Sequence, residues 1–216
     1  MKRFLCVLVC TCTIGFGVVH AAVSDSVEAL RAEYSELLAR SKDADPLVDY
    51  LRMREIYALL PEYSAYGSCD RTVSTLLQEE KYDAAKVAVE DCLKNEWVHL
   101  SIHELAYIIY SQLGDSTRAD FHATVYRDIV AAMLRNGDGT SAKTAIDVLY
   151  ASEEYSYLRY IDTRFTSQAL QSVDGSAYDV MTVKDANNNT LSYWFRVDRL
   201  FMSMRKMMKE IMTDKD

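Results

Sequence analysis

The sequence is poor in the residues that interrupt regular structure. Its 216 residues include only seven glycines and two prolines. A many-stranded sandwich or barrel needs frequent turns, and glycine and proline are the residues that most often form them. The scarcity of both therefore argues against an all-β fold and favours long helices.

Basic charge is also in short supply. The chain has 24 lysines and arginines against 32 aspartates and glutamates, which gives a net charge of -8. No basic patch with interleaved aromatic residues offsets this acidity. We therefore expect neither nucleic acid nor an anionic membrane surface to be a partner.

Established catalytic motifs are missing too. Beyond the N-terminal segment the chain contains no GxSxG, P-loop or GxGxxG motif. The adjacent carboxylates Glu79–Glu80 and Glu153–Glu154 are predicted to be solvated charges at helix ends. The sequence therefore predicts no enzymatic activity, no catalytic residue and no cofactor.

The N-terminus has the layout of a secretory signal peptide. Lys2 and Arg3 precede an apolar run over residues 4–19, and Val19 and Ala21 place small residues at positions -3 and -1 of a cleavage site. The run is short for a membrane span, and no later segment approaches that length. We predict cleavage of residues 1–21.

Residues 22–216 are then predicted to form one exported domain, periplasmic or secreted, without an integral membrane segment. A lipid-modified cysteine would need a small residue before it. Val9 precedes Cys10 and Thr11 precedes Cys12. We therefore do not expect a lipoprotein anchor.

Apolar residues recur with a helical period over residues 24–163. Two helical hairpins are predicted, with helices at 70–81 and 83–93, then at 98–113 and 116–135. Asn136-Gly137-Asp138-Gly139-Thr140 is the strongest turn signal. It is predicted to be a tight turn between helices, with a helix resuming over residues 141–160.

The period changes after about residue 164. Residues 178–184 and 191–198 are rich in β-branched and aromatic residues and predict a β-hairpin, to which residues 165–171 add a third strand. The fold class is therefore mainly α (α+β). A stack of antiparallel helices (24–163) precedes a small antiparallel β-sheet (164–198) and a C-terminal helix (199–213).

Part of the helical stack resembles a tetratricopeptide (TPR) repeat. YDAAKVAVEDCL looks like the second helix of one repeat, and ELAYIIYSQLGDSTRAD looks like the first helix, the turn and the next helix start of another. The similar stretch, Tyr82–Phe121, covers under two repeats. It implies a TPR-like helical segment.

A wider resemblance covers most of the mature chain. NGDGTSAKTAIDVLYASEEYSYL, then SQAL, then YWFRVDRLF resemble the DUF4919 family of uncharacterised exported bacterial proteins. The residues that match best are Gly137, Asp138, Gly139, Ala145, Glu154, Tyr155, Gln168, Leu170, Asp179 and Phe195. The histidine usual before the Glu-Tyr pair is Glu153 here. The resemblance implies an architecture but no activity.

Three histidines follow the predicted cleavage site. His99 and His103 are spaced i, i+4 on one predicted helix and could face one metal ion, with His122 on the neighbouring helix as a third ligand. The alternative is that they are polar or core-edge residues. Because no HExxH or cysteine-rich spacing is present, the prediction is no metal site.

Cys69 and Cys92 are the only cysteines after the predicted cleavage site. They lie at the start and the end of the first predicted hairpin, and antiparallel packing brings those ends together. In an oxidising compartment they could form a disulfide. The alternative is two free thiols, with Cys92 packed as a small apolar residue. The disulfide is favoured.

Two sets of side chains are candidates for a partner surface. Met204 and Met208 belong to a methionine-rich basic C-terminal helix, whose thioethers could also bind Cu(I) or whose face could lie on a membrane. The favoured alternative packs Phe201, Met204, Met208 and Ile211 against the body. Tyr107 and Tyr110 form the second set, on the wall of the predicted helical groove.

The favoured function is binding. We expect an exported scaffold or adaptor whose helical groove holds an unidentified protein or peptide, an expectation that rests on fold-level similarity. The second hypothesis is a metal-dependent hydrolase or metal-binding protein that uses the three histidines. The third is a structural envelope protein.

Overall fold

The computed structural model describes residues 16–66 and 69–213, with side chains from Ser26 onward. Most of the predicted signal peptide, including Cys10 and Cys12, lies outside the described residues. The described helices are α1 (Phe16–Lys42), α2 (Tyr50–Tyr57), α3 (Asp70–Gln78), α4 (Tyr82–Asn95), α5 (Leu100–Gln112), α6 (Ser116–Met133), α7 (Ala151–Tyr160) and α8 (Asp198–Thr213). The described strands are β1 (Ile146–Asp147), β2 (Arg164–Val173), β3 (Ser176–Lys184) and β4 (Thr190–Arg196).

Helices α3 to α6 form the two predicted hairpins, α3 with α4 and α5 with α6. The turn between α5 and α6 follows its sequence signals. Gly114 has a φ of +73°, which a residue without a Cβ adopts at no steric cost. The Asp115 carboxylate then caps α6 by accepting a hydrogen bond of 3.1 Å from the amide of Arg118.

The predicted helix over residues 141–160 is wrong in its first half. After the turn, the amide of Gly139 donates to the Thr144 carbonyl at 2.7 Å, and the Gly139 carbonyl accepts from the amide of Trp194 at 2.7 Å. A 3-10 turn (Ala142–Thr144) and β1 follow, and only then does α7 begin. A short apolar run suits a buried strand as well as a helix, and pairing with β4 decides between them here.

The sheet has the strand order β1-β4-β3-β2. Strands β2, β3 and β4 are antiparallel, as predicted, with Asp179 of β3 opposite Leu170 on one side and Phe195 on the other. The prediction of a wholly antiparallel sheet is wrong for β1, which pairs parallel to β4 with Ile146 opposite Phe195. The third strand predicted near residues 165–171 is confirmed as β2.

Helix α8 closes the chain and is anchored at its start. The Asp198 carboxylate accepts a hydrogen bond from the amide of Ala177 at 2.8 Å, and Leu200 is buried. Further along, Met208 and Ile211 are 53% and 46% exposed. The sequence predicts that Phe201, Met204, Met208 and Ile211 all pack against the body. This prediction is therefore wrong for Met208 and Ile211, in the second half of α8. None of the described helices combines the length and apolar character needed to cross a bilayer.

Candidate functional site: a serine, a histidine and a glutamate in line

Three polar side chains from separate parts of the fold form a hydrogen-bonded row. The Ser152 Oγ lies 2.9 Å from His99 Nε2, and His99 Nδ1 lies 2.9 Å from Glu96 Oε2. Glu96 follows the end of α4, His99 immediately precedes α5, and Ser152 lies in the first turn of α7. We call these residues the Ser–His–Glu triad.

The partners of His99 fix the tautomer of its neutral ring. An ionised carboxylate only accepts hydrogen bonds, so Nδ1 must carry the proton that is donated to Glu96. Nε2 then has a free lone pair, and the Ser152 hydroxyl donates to it. The ring is fully buried and stacks on Tyr150, with 3.7 Å between ring centroids. A base, an orienting carboxylate and a hydroxyl nucleophile are therefore aligned in the order that acyl transfer requires.

Ser152 opens onto solvent-accessible space. A cavity of about 580 Å³, the serine pocket, lies between the N-terminal ends of α3 and α7. It is lined by Ala65, Tyr66, Asp70, Arg71, Thr72, Ser74, Tyr150, Ala151 and Ser152. The first amides of a helix have no intrahelical acceptor and carry the positive end of the helix dipole. The start of α7 therefore offers donors for a developing oxyanion next to the nucleophile.

The residue after Ser152 is held by a buried ion pair. The Glu153 carboxylate accepts hydrogen bonds from Arg54 Nη1 and Nη2 at 2.7 and 2.9 Å, and from the amides of Leu149 and Leu100 at 2.8 and 3.2 Å. Burial works to raise the pKa of the Glu153 carboxyl, but the Arg54 charge outweighs it and lowers that pKa. The prediction that Glu153–Glu154 are solvated is wrong, because both side chains are fully buried.

The structure joins Cys69 and Cys92 in a disulfide, with 5.9 Å between their Cα atoms. Cys69 precedes α3, which borders the serine pocket. Cys92 lies in the last turn of α4, and its carbonyl accepts a hydrogen bond of 2.9 Å from the amide of Glu96. The disulfide therefore ties one wall of the pocket to the segment that carries the triad carboxylate.

A second acidic cluster lies on the other side of α7, toward the sheet. Glu154 is fully buried, and no donor within the described residues reaches either carboxyl oxygen. Burial, then the neighbouring Asp179 carboxyl, raises the pKa of Glu154 to about 9. A proton kept on Glu154 avoids a second negative charge beside Asp179 in this buried position. Gln168 lies beside this pair and accepts a hydrogen bond of 3.2 Å from the Tyr155 hydroxyl.

The three histidines proposed as metal ligands do not converge. His99 belongs to the triad, whereas His103 and His122 form a separate pair with 3.0 Å between their Nδ1 atoms. The helical i, i+4 argument fails because α5 begins at Leu100, which leaves His99 in extended backbone before it. In the described part of the chain, no group of three or more His, Cys, Asp or Glu side chains is arranged to hold a metal ion.

The two predicted partner surfaces lie on separate elements. Tyr107 and Tyr110 are both on α5, but Tyr107 is 44% exposed and Tyr110 only 2%. Met204 is partly buried on α8, while Met208 is exposed, and both line a shallow cavity. α8 packs on β3, whereas α5 packs on other helices.

Sequence reasoning missed Ser152 and Glu96. Ser152 is 53 residues from His99 in sequence and lies in no nucleophile motif. The only local signal is the i, i+3 spacing of Glu96 and His99, which is common in unrelated sequences. Only folding brings the hydroxyl to the histidine.

Comparison with known proteins identifies the family. A family model described as a domain of unknown function, DUF4919, matches residues 19–206, and the predicted resemblance is thereby confirmed. The search of curated proteins and the search of solved structures each return no match. The TPR-like segment stays a prediction. Since the family model matches most of its length, the chain belongs to the DUF4919 family.

Proposed function

We propose that this protein is a hydrolase that cleaves an ester or amide by acyl transfer to Ser152. The observation that carries the proposal is the unbroken row of hydrogen bonds from Ser152 Oγ through the His99 ring to Glu96, both 2.9 Å long. It replaces the metal-dependent form of the hydrolase hypothesis and the expectation that the protein is not an enzyme.

The first half-reaction follows from the tautomer of His99. Ser152 Oγ attacks the substrate carbonyl carbon while His99 Nε2 takes the hydroxyl proton. Glu96 stabilises the imidazolium by accepting from Nδ1–H. The tetrahedral oxyanion is stabilised by the amides at the start of α7. As the carbon–leaving-group bond breaks, His99 returns its proton to the leaving alcohol or amine, and the acyl group stays on Ser152 as an ester.

The second half-reaction uses the same groups with water as the nucleophile. His99 Nε2 takes a proton from a water molecule, whose oxygen attacks the acyl carbonyl. The bond to Ser152 Oγ breaks, the proton returns to that oxygen, and a carboxylic acid leaves. The serine pocket, at about 580 Å³, has room for an acyl group and its leaving group.

The test is covalent labelling of Ser152 with a fluorophosphonate probe, together with hydrolysis of p-nitrophenyl butyrate. We expect labelling at Ser152 in the intact protein, mapped by peptide mass spectrometry. Ser152→Ala should abolish both signals. His99→Gln should lower kcat by at least about a hundredfold, because a general base contributes roughly a hundredfold to ten-thousandfold.

Ser35→Ala is the matched control, since Ser35 is an exposed serine on α1 and does not line the serine pocket. It should leave labelling and turnover within about twofold, as is usual for surface changes outside the chemistry. A folded protein that neither labels at Ser152 nor hydrolyses any activated ester would contradict the proposal.

A peptide-binding scaffold is the second candidate function. It is supported by the exposed apolar side chains of Met208 and Met212 on α8, which are 53% and 68% exposed. A photo-crosslinking amino acid at position 208 would test it. A partner bound through this face should crosslink there and be lost on Met204→Lys.

Export remains part of the proposal. It is supported by the signal-peptide pattern of residues 1–21 and by the disulfide, which suits an oxidising compartment. N-terminal sequencing of the protein recovered from its native cells should begin at Ala22. Intact Met1 would contradict export by this route.

A further inference from the structure

A second cavity, of about 350 Å³, lies between α4, α5, α6 and the end of α1. It shares no residue with the serine pocket. We call it the aromatic pocket, and it is lined by Lys42, Glu90, Leu93, Lys94, Trp97, Tyr110, Arg118, Phe121 and His122. Nothing in the proposed hydrolysis uses it.

The His103–His122 pair fixes which atom His122 presents to this pocket. His103 Nε2 lies 2.6 Å from the carbonyl oxygen of Trp97, and a carbonyl only accepts, so Nε2 carries the proton. In a neutral His103 ring, Nδ1 is then the acceptor. The Nδ1 of His122 must therefore donate across the 3.0 Å contact. This leaves the Nε2 of a neutral His122 as a lone-pair acceptor.

Both rings are neutral at physiological pH. Burial lowers the pKa of His103 to about 3 and that of His122 to about 4, and the Arg118 charge adds to the second shift. His122 is only 5% exposed, and its Nε2 has no hydrogen-bond partner among the described residues. An acceptor that is accessible from the pocket favours a ligand that brings an O–H or N–H donor.

The walls of the pocket are flat and held in place. The Trp97 indole N–H donates to Ser41 Oγ at 2.7 Å, which fixes the ring. Phe121 packs 6.2 Å from Trp97, measured between ring centroids, and Tyr110 stacks on His122 at 5.5 Å. Such rings suit a planar aromatic body.

The charges at the pocket are mostly positive. Glu90 is already paired with Arg118, at 3.1 Å, and accepts a second hydrogen bond from the Tyr110 hydroxyl at 2.6 Å. Lys42 lies 5.1 Å from the centre of the Trp97 ring, and Lys94 forms a solvent-exposed ion pair with Asp91. The two lysines can therefore attract an anionic group.

We infer that the aromatic pocket binds an aromatic carboxylate whose ring carries an O–H or N–H donor. The ring packs against the aromatic walls, the donor reaches His122 Nε2, and the carboxylate faces Lys42 and Lys94. Both a free hydroxyaryl acid and the C-terminal tyrosine of a peptide have this chemistry.

Isothermal titration of the full mature chain with three matched probes tests each element of the site. The probes are N-acetyl-L-tyrosine, N-acetyl-L-phenylalanine, which lacks the hydroxyl, and N-acetyl-L-tyrosinamide, which lacks the carboxylate. We expect the first to bind about tenfold more tightly than either analogue, since each analogue leaves a polar group of the site unmatched. A fourth probe, 3-(4-hydroxyphenyl)propionate, separates the two sources. If this probe binds as tightly as N-acetyl-L-tyrosine, the ligand is a free hydroxyaryl acid. If it binds more weakly, the ligand is the C-terminal tyrosine of a peptide.

Two variants test which residues cause the preferences for the hydroxyl and for the carboxylate of the probe. His122→Phe should erase the preference for tyrosine over phenylalanine. The double variant Lys42→Gln/Lys94→Gln should erase the preference for the acid over the amide, and its exposed positions keep the fold intact. Lys81→Gln, on the exposed turn before α4, is the control that should change nothing.

Either of two results overturns the inference. One is that no probe binds at millimolar concentration. The other is that N-acetyltyrosine and N-acetylphenylalanine bind alike. Activity at Ser152 is independent of both results, because the two pockets share no residue.

Discussion

Arg54 and Glu153 face each other across 99 residues of sequence with both N–O distances under 3 Å, at 2.7 and 2.9 Å. Their side chains are 5% and 0% exposed. Arg54 also donates to the carbonyl of Val98, one residue before His99. This ion pair therefore connects α2 to the two chain segments that carry His99 and Ser152 of the proposed triad.

Removing the charge of Glu153 should destabilise the protein strongly. Glu153→Gln leaves a buried guanidinium without its counter-charge, and breaking a buried pair in this way costs about 3–5 kcal/mol. Urea denaturation followed by circular dichroism would measure the change in the free energy of unfolding. Replacing both partners, as Arg54→Met/Glu153→Met, should recover much of the loss. Glu79→Gln, at an exposed ion pair, should have almost no effect.

Glu154 should make stability fall as the pH rises. In the unfolded chain its carboxyl has a pKa near 4.5, whereas in the folded protein the pKa is about 9. Between those values the unfolded state has lost the proton and the folded state has kept it, so each pH unit favours unfolding by up to about 1.4 kcal/mol.

Glu154→Gln should therefore flatten the dependence of the unfolding free energy on pH between about 5 and 9. The measurement is a series of denaturation curves at intervals of one pH unit. Glu36→Gln, at an exposed position on α1, should keep the slope of the original protein. An unchanged slope in Glu154→Gln would show that the proton is not held at this pair.

Gly137 should not tolerate a side chain. A Cβ there would overlap the carbonyl oxygen of Thr144 and come within 2.9 Å of that of Ala145, both rigid backbone atoms. Gly137→Ala should cost about 1–3 kcal/mol by overpacking. It should also change the near-ultraviolet signal of Trp194, whose amide bonds to the same turn.

Gly114→Ala separates sterics from backbone conformation. A Cβ at Gly114 meets no atom within 4 Å, but the φ of +73° strains any other residue. The expected cost is about 1–2 kcal/mol for the left-handed backbone, with no change in the Trp194 signal. A larger loss of stability in Gly114→Ala than in Gly137→Ala would contradict the close approach of Gly137 to the carbonyl oxygens of Thr144 and Ala145.

The disulfide should support both the stability of the fold and the proposed reactivity of Ser152. Cys69→Ser/Cys92→Ser should lower the free energy of unfolding by about 3 kcal/mol, since it removes the constraint on the unfolded chain. It should also reduce the rate of Ser152 labelling, because Glu96 follows the segment that the disulfide holds. If the double variant loses this stability but still labels at the original rate, the disulfide does not position the triad.

The elements that depend on local pattern were predictable from sequence. Both helical hairpins, the strands β2 to β4 and the start of α8 follow from hydrophobic period and turn residues. The run from Ala145 to Leu149 was not predictable, because its apolar residues suit a helix or a strand until β4 is present beside it.

Site residues that depend on tertiary contacts were hidden. Nothing in the local sequence shows that Glu153 pairs with Arg54. Since charged residues are rarely buried unless they are paired, the sequence predicts that Glu153 and the adjacent Glu154 are exposed. The hydrophobic period predicts a helix that begins at residue 98 and contains His99, whereas α5 begins at Leu100. The later start leaves His99 in extended backbone, where its Nε2 lies beside Ser152 Oγ.

The parallel pairing of β1 with β4 also sets an order of events in folding. Helices α3 to α6 are joined by short turns and can assemble from neighbouring sequence. By contrast, Asp147 has its sheet partner at Arg196, 49 residues further along. Contacts over such separations form slowly because a long loop must close first. Ser152 lies in the first turn of α7, the element that follows β1, so the proposed nucleophile is positioned only after almost the whole chain is available. A partly synthesised chain would carry His99 and Glu96 in a formed helical body and still lack Ser152 beside them.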